Sequence, residues 1–359
     1  MELFKANAQW STRPADERFT TLEALHAATS AYAATARERE KVPVSALRVE
    51  NIDGDVQLVG RGGTPAVLTH WSFGQLSARV GAPASYLRTI PATLACQNLN
   101  HGLAKRVESD QDGTVNLLFH QNGSLLLRAL TSEKYQRIWN WELTERLLDL
   151  QSHGWEVARP DIRVIDDSRP LYASDHDMFA FIRHQNRPIA EAGSPEPLYR
   201  GLIVENSEVG ASKLRLTRFL YREMCGNHII WGAEKVTELA LRHVGTIREQ
   251  LQSWGVEITK YLDASATGTE LAIARAKSVT IAKTKDEVLD LLFGRRLNLT
   301  RKALEGGYDA CLPDQDGDPR TAWGMVQGLT RYSQTTPYAD ERTAIDRNAG
   351  RIMDLVDSF

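Results

Sequence analysis

Residues 198–232 read LYRGLIVENSEVGASKLRLTRFLYREMCGNHIIWG, and the alternation in this stretch decides the fold class. Residues 202–205 are apolar and β-prone. Asn206-Ser207-Glu208-Val209-Gly210 then supplies turn chemistry, with Gly210 free to take positive φ. From Ser212 onward, apolar Leu214, Leu216 and Phe219 are interleaved with Lys213, Arg215 and Thr217. That period of two predicts a half-buried strand. His228-Ile229-Ile230-Trp231 is a third strand candidate, behind Cys225-Gly226-Asn227. The stretch is expected to be the middle of a sheet with one cationic face, leading into a helix after Gly232.

Upstream, residues 1–18 read as an extended arm and 20–39 as a helix, with Leu22, Leu25, Ala28, Tyr32 and Ala36 near helical spacing and Pro43 closing the region. Residues 44–49 and 56–59 flank Asp53-Gly54, a hairpin signal. Arg61-Gly62-Gly63 lacks the lysine and spacing of a phosphate-binding loop. Thr69 is placed to cap a helix carrying Phe73, Leu76 and Val80, which Gly81 breaks before Pro83 opens a second helix. The pair mimics a helix-turn-helix, but its second helix offers little beyond Ser85 and Arg88 for reading bases. Packing on the sheet is the preferred expectation. Residues 115–120 and 124–129 flank Gln121-Asn122-Gly123, a second hairpin. Ser132 is expected to cap a helix bearing Tyr135, Trp139, Leu143 and Leu147. Residues 155–157 and 162–165 read as strands. Asp175-His176-Asp177, with His184 nearby, invites a metal. Three adjacent ligands do not converge from an extended chain, so the acids are read as the start of a strand at 178–182.

Downstream, residues 233–261, 267–281, 286–293, 321–332 and 340–359 read as helices. Lys277, Lys283, Lys285, Arg295, Arg296, Arg301 and Lys302 form a local basic patch. Asp314-Gln315-Asp316-Gly317-Asp318 fails the calcium-loop register, because Met325 stands where a Glu is needed, and reads as an acidic surface loop. The fold class expected is α+β, a largely antiparallel sheet with interleaved helices and a helical C-terminal region. Its parts are an arm and helix at 1–41, a core at 42–232 and a helical region at 233–359.

Several of these segments carry a resemblance. Asn206-Ser207-Glu208-x-Gly210, the Cys225-x-Asn227 turn, the run from Leu127 to Asn140, the Leu76 to Pro83 segment with Leu99, Asn100 and Leu103, and Trp323 with Gln327-Gly-Leu-Thr-x-Tyr resemble a phage/plasmid-like family of unknown function. The resemblance covers most of the chain and implies a mobile-element context without a mechanism. The sequence departs from the family where His228 follows Asn227 in place of a common glycine.

Composition bounds the function. The 359 residues are 42% hydrophobic with a net charge of −3, so there is no overall basic field and a nucleic-acid surface has to be local. Cys96, Cys225 and Cys311 have neither disulfide nor zinc spacing, and no apolar run spans a bilayer, so a cytoplasmic protein without membrane partner or cofactor is expected. Cys225 beside His228 reads as a small packed residue. No nucleophile elbow, phosphate-binding loop or dinucleotide fingerprint is present, which favours a binding protein over an enzyme. The leading expectation is single-stranded DNA binding in recombination or replication, with self-assembly. The expected contacts are Arg200, Lys213, Arg215, Arg218 and Arg222 around the central strand, Arg128, Lys134 and Arg137, and Arg295 and Arg296. Tyr199, Phe219 and Tyr221 are the candidates for base stacking. A protein-interaction or host-defence role is the first alternative. A metal-dependent nuclease using Asp161, Asp166 and Asp167 is the second.

Overall fold

The computed structural model describes residues 10, 11, 13–60, 63–108, 113–159, 169–223, 226–231 and 238–359. In chain order the elements are β1 (Glu17–Phe19), α1 (Leu22–Ala34), β2 (Ala36–Pro43), β3 (Arg48–Ile52), β4 (Asp55–Val59), β5 (Ala66–Leu68), α2 (His70–Arg79), α3 (Ala84–Leu87), α4 (Ala92–Glu108), β6 (Thr114–Asn122) and β7 (Ser124–Ser132). Then come α5 (Asn140–Gln151), β8 (Trp155–Val157), β9 (Leu171–Ala173), β10 (Met178–His184), β11 (Leu198–Asn206), β12 (Leu214–Arg222), β13 (Asn227–Ile229) and β14 (Glu238–Leu241). The rest is helical: α6 (Ile247–Gln252), α7 (Trp254–Asp263), α8 (Thr267–Ser278), α9 (Lys285–Gly294), α10 (Arg301–Ala310), α11 (Pro313–Asp316), α12 (Ala322–Ser333) and α13 (Ala339–Gly350). The fold is α+β, as expected.

Among the described residues the strands form two sheets. The first is antiparallel and curled, in the order β1-β9-β10-β11-β12-β13, with β14 also on β12 and β8 also on β10. The second runs β2-β6-β7-β5-β4-β3 and is mixed, because β5 and β7 are parallel. Both hairpin signals hold. Asp53 and Gly54 take φ of 54° and 89°, and Gly123 takes 68°. Local chemistry also sets the helix starts. Thr21, Thr69, Thr284, Thr300 and Thr321 each accept a backbone N–H at a helix N-cap. Helices α2 and α3 pack on the second sheet through Phe73, Leu76 and Leu87, which are buried, as the packed-hairpin reading requires.

The central hairpin is covered on both faces. Met178, Ala180, Ile182, Leu202, Val204, Leu214 and Leu216 pack against helical residues such as Leu25, Leu147, Leu251 and Trp254. Phe179, Phe181, Ile203, Phe219 and Tyr221 pack on the opposite face with Ala339. Gly201 stands opposite Phe219, and the ring fills the space where a Cβ would lie 2.3 Å away. A further core joins Leu198, Leu220 and Ile229 to Trp323, Met325, Val326 and Leu329 of α12.

Four expectations are corrected. The helix at 20–39 ends at Ala34, and 36–43 is an edge strand whose charged residues keep that edge exposed. Ser132 ends β7, and the next helix starts only at Asn140. In place of one helix over 233–261, β14 continues the period of two through Leu239 and Leu241, and Gly245 at φ 69° separates it from α6. Asp316 belongs to no surface loop: it is 1% exposed and pairs with Arg222 and Arg331. Arg61 and Gly62, the strand expected at 162–165, and Cys225 lie outside the described residues. None of the described helices is long and apolar enough to cross a membrane.

Candidate functional site

The turn between β11 and β12 gathers part of the resemblance-bearing residues, from 206–210 and from 127–140. Asn206 Nδ2 donates to the Ile138 carbonyl at 2.9 Å and to Asn140 Oδ1 at 2.8 Å. Ser207 Oγ accepts from the Ala211 N–H and donates to the His176 carbonyl at 2.6 Å. Tyr135 OH donates to the Ser207 carbonyl at 2.6 Å, which explains why 133–139 is pulled out of a helix. The Val209 carbonyl accepts from Trp71 Nε1 and Gln75 Nε2. Glu208 is 3% exposed; one oxygen meets Arg128 Nη1 at 2.8 Å and the other accepts the Asn140 N–H at 2.8 Å. Asn140 opens α5, so the carboxylate sits at that helix's positive end.

On one side of this turn lies a groove of about 510 Å³. Lys213, Arg215 and Arg242 line it together with Tyr135, Gly210 and His243, and among the described residues no carboxylate lines it. Lys213 and Arg242 are exposed, whereas Arg215 is half-buried and reaches Glu205 Oε1 at 2.7 Å. Tyr135 and His243 stack with ring centroids 5.0 Å apart. Burial pushes His243 down to about 4; the bond to the Gln136 carbonyl opposes this and the Arg137 charge adds to it. The ring is therefore neutral near pH 7.

The remaining expected contacts scatter. Lys134 is exposed between Ser132 and Tyr135, both groove residues. Arg128 is 1% exposed, paired with Glu208 and stacked over Tyr32 at 4.6 Å. Arg137 is buried against Glu38 at 2.5 Å. Arg200 is buried and donates to the Arg187 and Ala264 carbonyls. Arg218 lies 3.6 Å from Glu257 and over Tyr261. Arg222 is buried between Glu191 and Asp316. Arg295 and Arg296 are exposed at the end of α9, Arg295 near the Ser358 carbonyl at 3.3 Å. The single cationic strand face does not form. Arg215 shares its side of β12 with Phe219 and Tyr221, and Arg218 and Arg222 share the other with Leu216 and Leu220. Phe219 and Tyr221 are core residues, and Tyr199 is half-buried under Arg183. Within the basic patch, Lys277 pairs with Glu191, Lys285 with Asp309 and Arg301 with Asp290.

The other side of the turn is acidic. His176, Asp177 and Asp340 offer ligand atoms that lie within 4.8 Å of one another. His176 Nδ1 is 2.9 Å from Asp175 Oδ1 and its Nε2 is 3.3 Å from Asp177 Oδ2. Burial raises the Asp177 carboxyl to about 6, against the pull of His176 and of the Ser174 hydrogen bond. Burial opposes a charge on His176 as well, yet the Asp175 hydrogen bond and the neighbouring carboxylates hold it above its ordinary value. Asp175 and Ser174 also line a cavity of about 220 Å³ with Arg128, Tyr32 and Asn140. Asp175 is not in this set of ligands: the three adjacent residues do not supply it by themselves, and His176 and Asp177 are joined by Asp340. Asp340 was missed, because no sequence signal joins it to a motif about 160 residues away. Asp161, Asp166 and Asp167, proposed for a nuclease, lie outside the described residues.

A second knot joins Asn227 to α12. Asn227 Nδ2 donates to Gln327 Oε1 at 2.7 Å, and Gln334 Nε2 donates to Asn227 Oδ1 at 3.0 Å. His228 is fully buried against Phe181 and Phe219. Burial and the Arg342 charge keep it well below its ordinary pKa, so it is neutral, with Nδ1 3.1 Å from Arg342. Cys96 and Cys311 are buried thiols raised by burial to about 11 and about 12, inert at neutral pH.

The profile of DUF932, a domain of unknown function, matches residues 129–352, so the chain belongs to that family. No curated protein and no solved structure matches the chain.

Proposed function

We propose that this member of the DUF932 family binds single-stranded nucleic acid in the groove beside the Asn206–Gly210 turn, as a non-catalytic accessory of recombination or replication. The observation that carries the reading is the lining of the groove: Lys213, Arg215 and Arg242 with no carboxylate among the described lining residues. A strand's phosphates need closely spaced cations, and a local groove supplies them in a chain whose net charge is −3. The half-buried Tyr135 ring, backed by the buried His243 imidazole, is an aromatic surface in the groove against which a base could stack. The resemblance to phage/plasmid-like proteins supports a mobile element as the setting, and assembly of several copies along one strand belongs to the same reading.

The test is fluorescence anisotropy with labelled single- and double-stranded oligonucleotides across a salt series, using the natural chain and the Lys213→Ala/Arg242→Ala double variant. Salt-sensitive binding to single strands is expected. The double variant should bind at least about tenfold more weakly, with the slope of log K against log salt shallower by about 1.4. No binding at low salt, or an unchanged slope in the double variant, overturns the proposal.

A further inference from the structure

We infer that His176, Asp177 and Asp340 form a site for one divalent cation, held beside the 220 Å³ cavity on the far side of the turn from the groove. The inference stands apart from nucleic-acid binding, and either can fail alone.

The loop that carries the first two ligands is pre-set. Ser174 Oγ accepts the backbone N–H groups of His176 and Asp177 at 3.3 and 3.0 Å. The same hydroxyl donates to Asp177 Oδ1 at 2.7 Å, which leaves Oδ2 as the oxygen turned to His176 Nε2. Asp175 Oδ1 holds the other ring nitrogen of His176 at 2.9 Å. A carboxylate on the far nitrogen of a histidine is the arrangement that fixes a ligand's tautomer and raises its basicity toward a metal. Trp71 stacks on the imidazole, nearly parallel at 10° and with centroids 5.6 Å apart, and sets the plane of the ring. The third ligand arrives from the first turn of α13. Arg13 holds Asp340 through both oxygens, at 2.9 and 3.1 Å, and each oxygen keeps a further lone pair.

Charge and orphaned atoms give an independent reason for a cation. Among the described residues, Asp16, Asp175, Asp177 and Asp340 pair with one permanent cation, Arg13, and one histidine that can carry charge near neutral pH, His176; His70 nearby is lowered to about 4 by burial and stays neutral. Even with His176 protonated, two negative charges in the cluster lack a counter-charge; the neighbouring Arg128–Glu208 pair is neutral. The side chains of Asp16, Asp175 and Asp177 are 1%, 8% and 6% exposed. Asp16 Oδ1 and Asp175 Oδ2 are buried without a hydrogen-bond partner, Asp16 Oδ1 standing 3.7 Å from Arg13. Buried carboxylates left so are costly unless a cation joins them. One imidazole and two carboxylates are a donor set for Mn²⁺ or Zn²⁺.

The test uses the full chain, treated with chelator and then titrated with Mn²⁺. Calorimetry should give one bound equivalent, and the pulsed paramagnetic spectrum of the bound ion should carry nitrogen coupling from His176. Asp177→Asn and Asp340→Asn, each confirmed as folded by circular dichroism, should weaken binding at least about tenfold, while Lys213→Ala should leave it unchanged. No uptake by the natural chain, uptake equal in both folded variants, or a bound ion without nitrogen coupling each overturns the inference.

Discussion

The two sides of the Asn206–Gly210 turn handle charge in opposite ways. On the groove side, Lys213 and Arg242 are exposed and line a surface with no carboxylate among its described residues. On the far side, carboxylates are buried and, among the described residues, outnumber their cations. The Arg128–Glu208 pair, beside the acidic flank, is nearly solvent-free and balanced. The balanced pair sits where the fold is stitched, touching α5, β7 and the turn, and the unbalanced charges sit on the two sides of the turn. The difference separates charge that holds the fold from charge left available to a ligand.

The largest expected effect comes from breaking the balanced pair. Arg128→Ala leaves Glu208 buried with only the Asn140 N–H, and removing one partner of such a pair costs about 3–5 kcal/mol. Thermal unfolding should show a fall of many degrees. Arg128→Met with Glu208→Leu removes both charges and should recover most of that loss, less about 1 kcal/mol for the lost acceptor at the start of α5. If Arg128→Ala unfolds at the natural temperature, the pair has no structural role and the contrast between the two kinds of charge collapses.

That contrast is also where sequence reading stops. The hairpins at Asp53-Gly54 and Asn122-Gly123 and the helix capped by Thr69 were legible because their causes lie within a few residues. The α+β class followed from the alternation along β11 and β12. Alternation cannot tell an exposed arginine from a buried one, because the answer lies with its partner. Arg222 meets Glu191 and Asp316, residues 31 and 94 positions away. Arg128 meets Glu208 at a separation of 80. Tyr135 leaves helical geometry for a carbonyl 72 residues on. The Asp175-His176-Asp177 motif was visible, but Asp340 joins it only when α13 packs across the first sheet. Lys213 was found from the strand pattern, and Arg242 was missed because β14 read as helix.

The second effect tests the groove's floor through pH. His243 is neutral and buried in the fold at about 4 and titrates near 6.5 when unfolded. Between those values the unfolded chain binds the extra proton, so the contribution is complete above about pH 6.5 and is lost as pH falls toward 4. The limit is about 3 kcal/mol. His70 and His228 are lowered too and act in the same direction, so the measurement is a difference. Thermal midpoints of the natural chain and His243→Gln, followed from pH 7 to 4.5, should converge as the natural chain loses stability. Parallel curves would mean that His243 is open to solvent and the Tyr135 stack is not its resting place.

The smallest effect isolates the turn itself. Gly210 sits at φ 81°, and a Cβ there would meet Tyr135, Thr131 and Gln75 at 3.5 to 3.8 Å, ordinary contact distances. Gly210→Ala therefore adds no clash, only the left-handed penalty of about 1–2 kcal/mol for a residue with a Cβ. The three neighbours all line the groove, and none belongs to the acidic cluster. A fall of a few degrees in the unfolding midpoint is expected, with weaker oligonucleotide binding and unchanged Mn²⁺ uptake. If Mn²⁺ uptake falls along with oligonucleotide binding, the Ser207–His176 hydrogen bond couples the two flanks, and the turn works as a shared hinge. If only the groove responds, the two flanks are independent, as separate linings require.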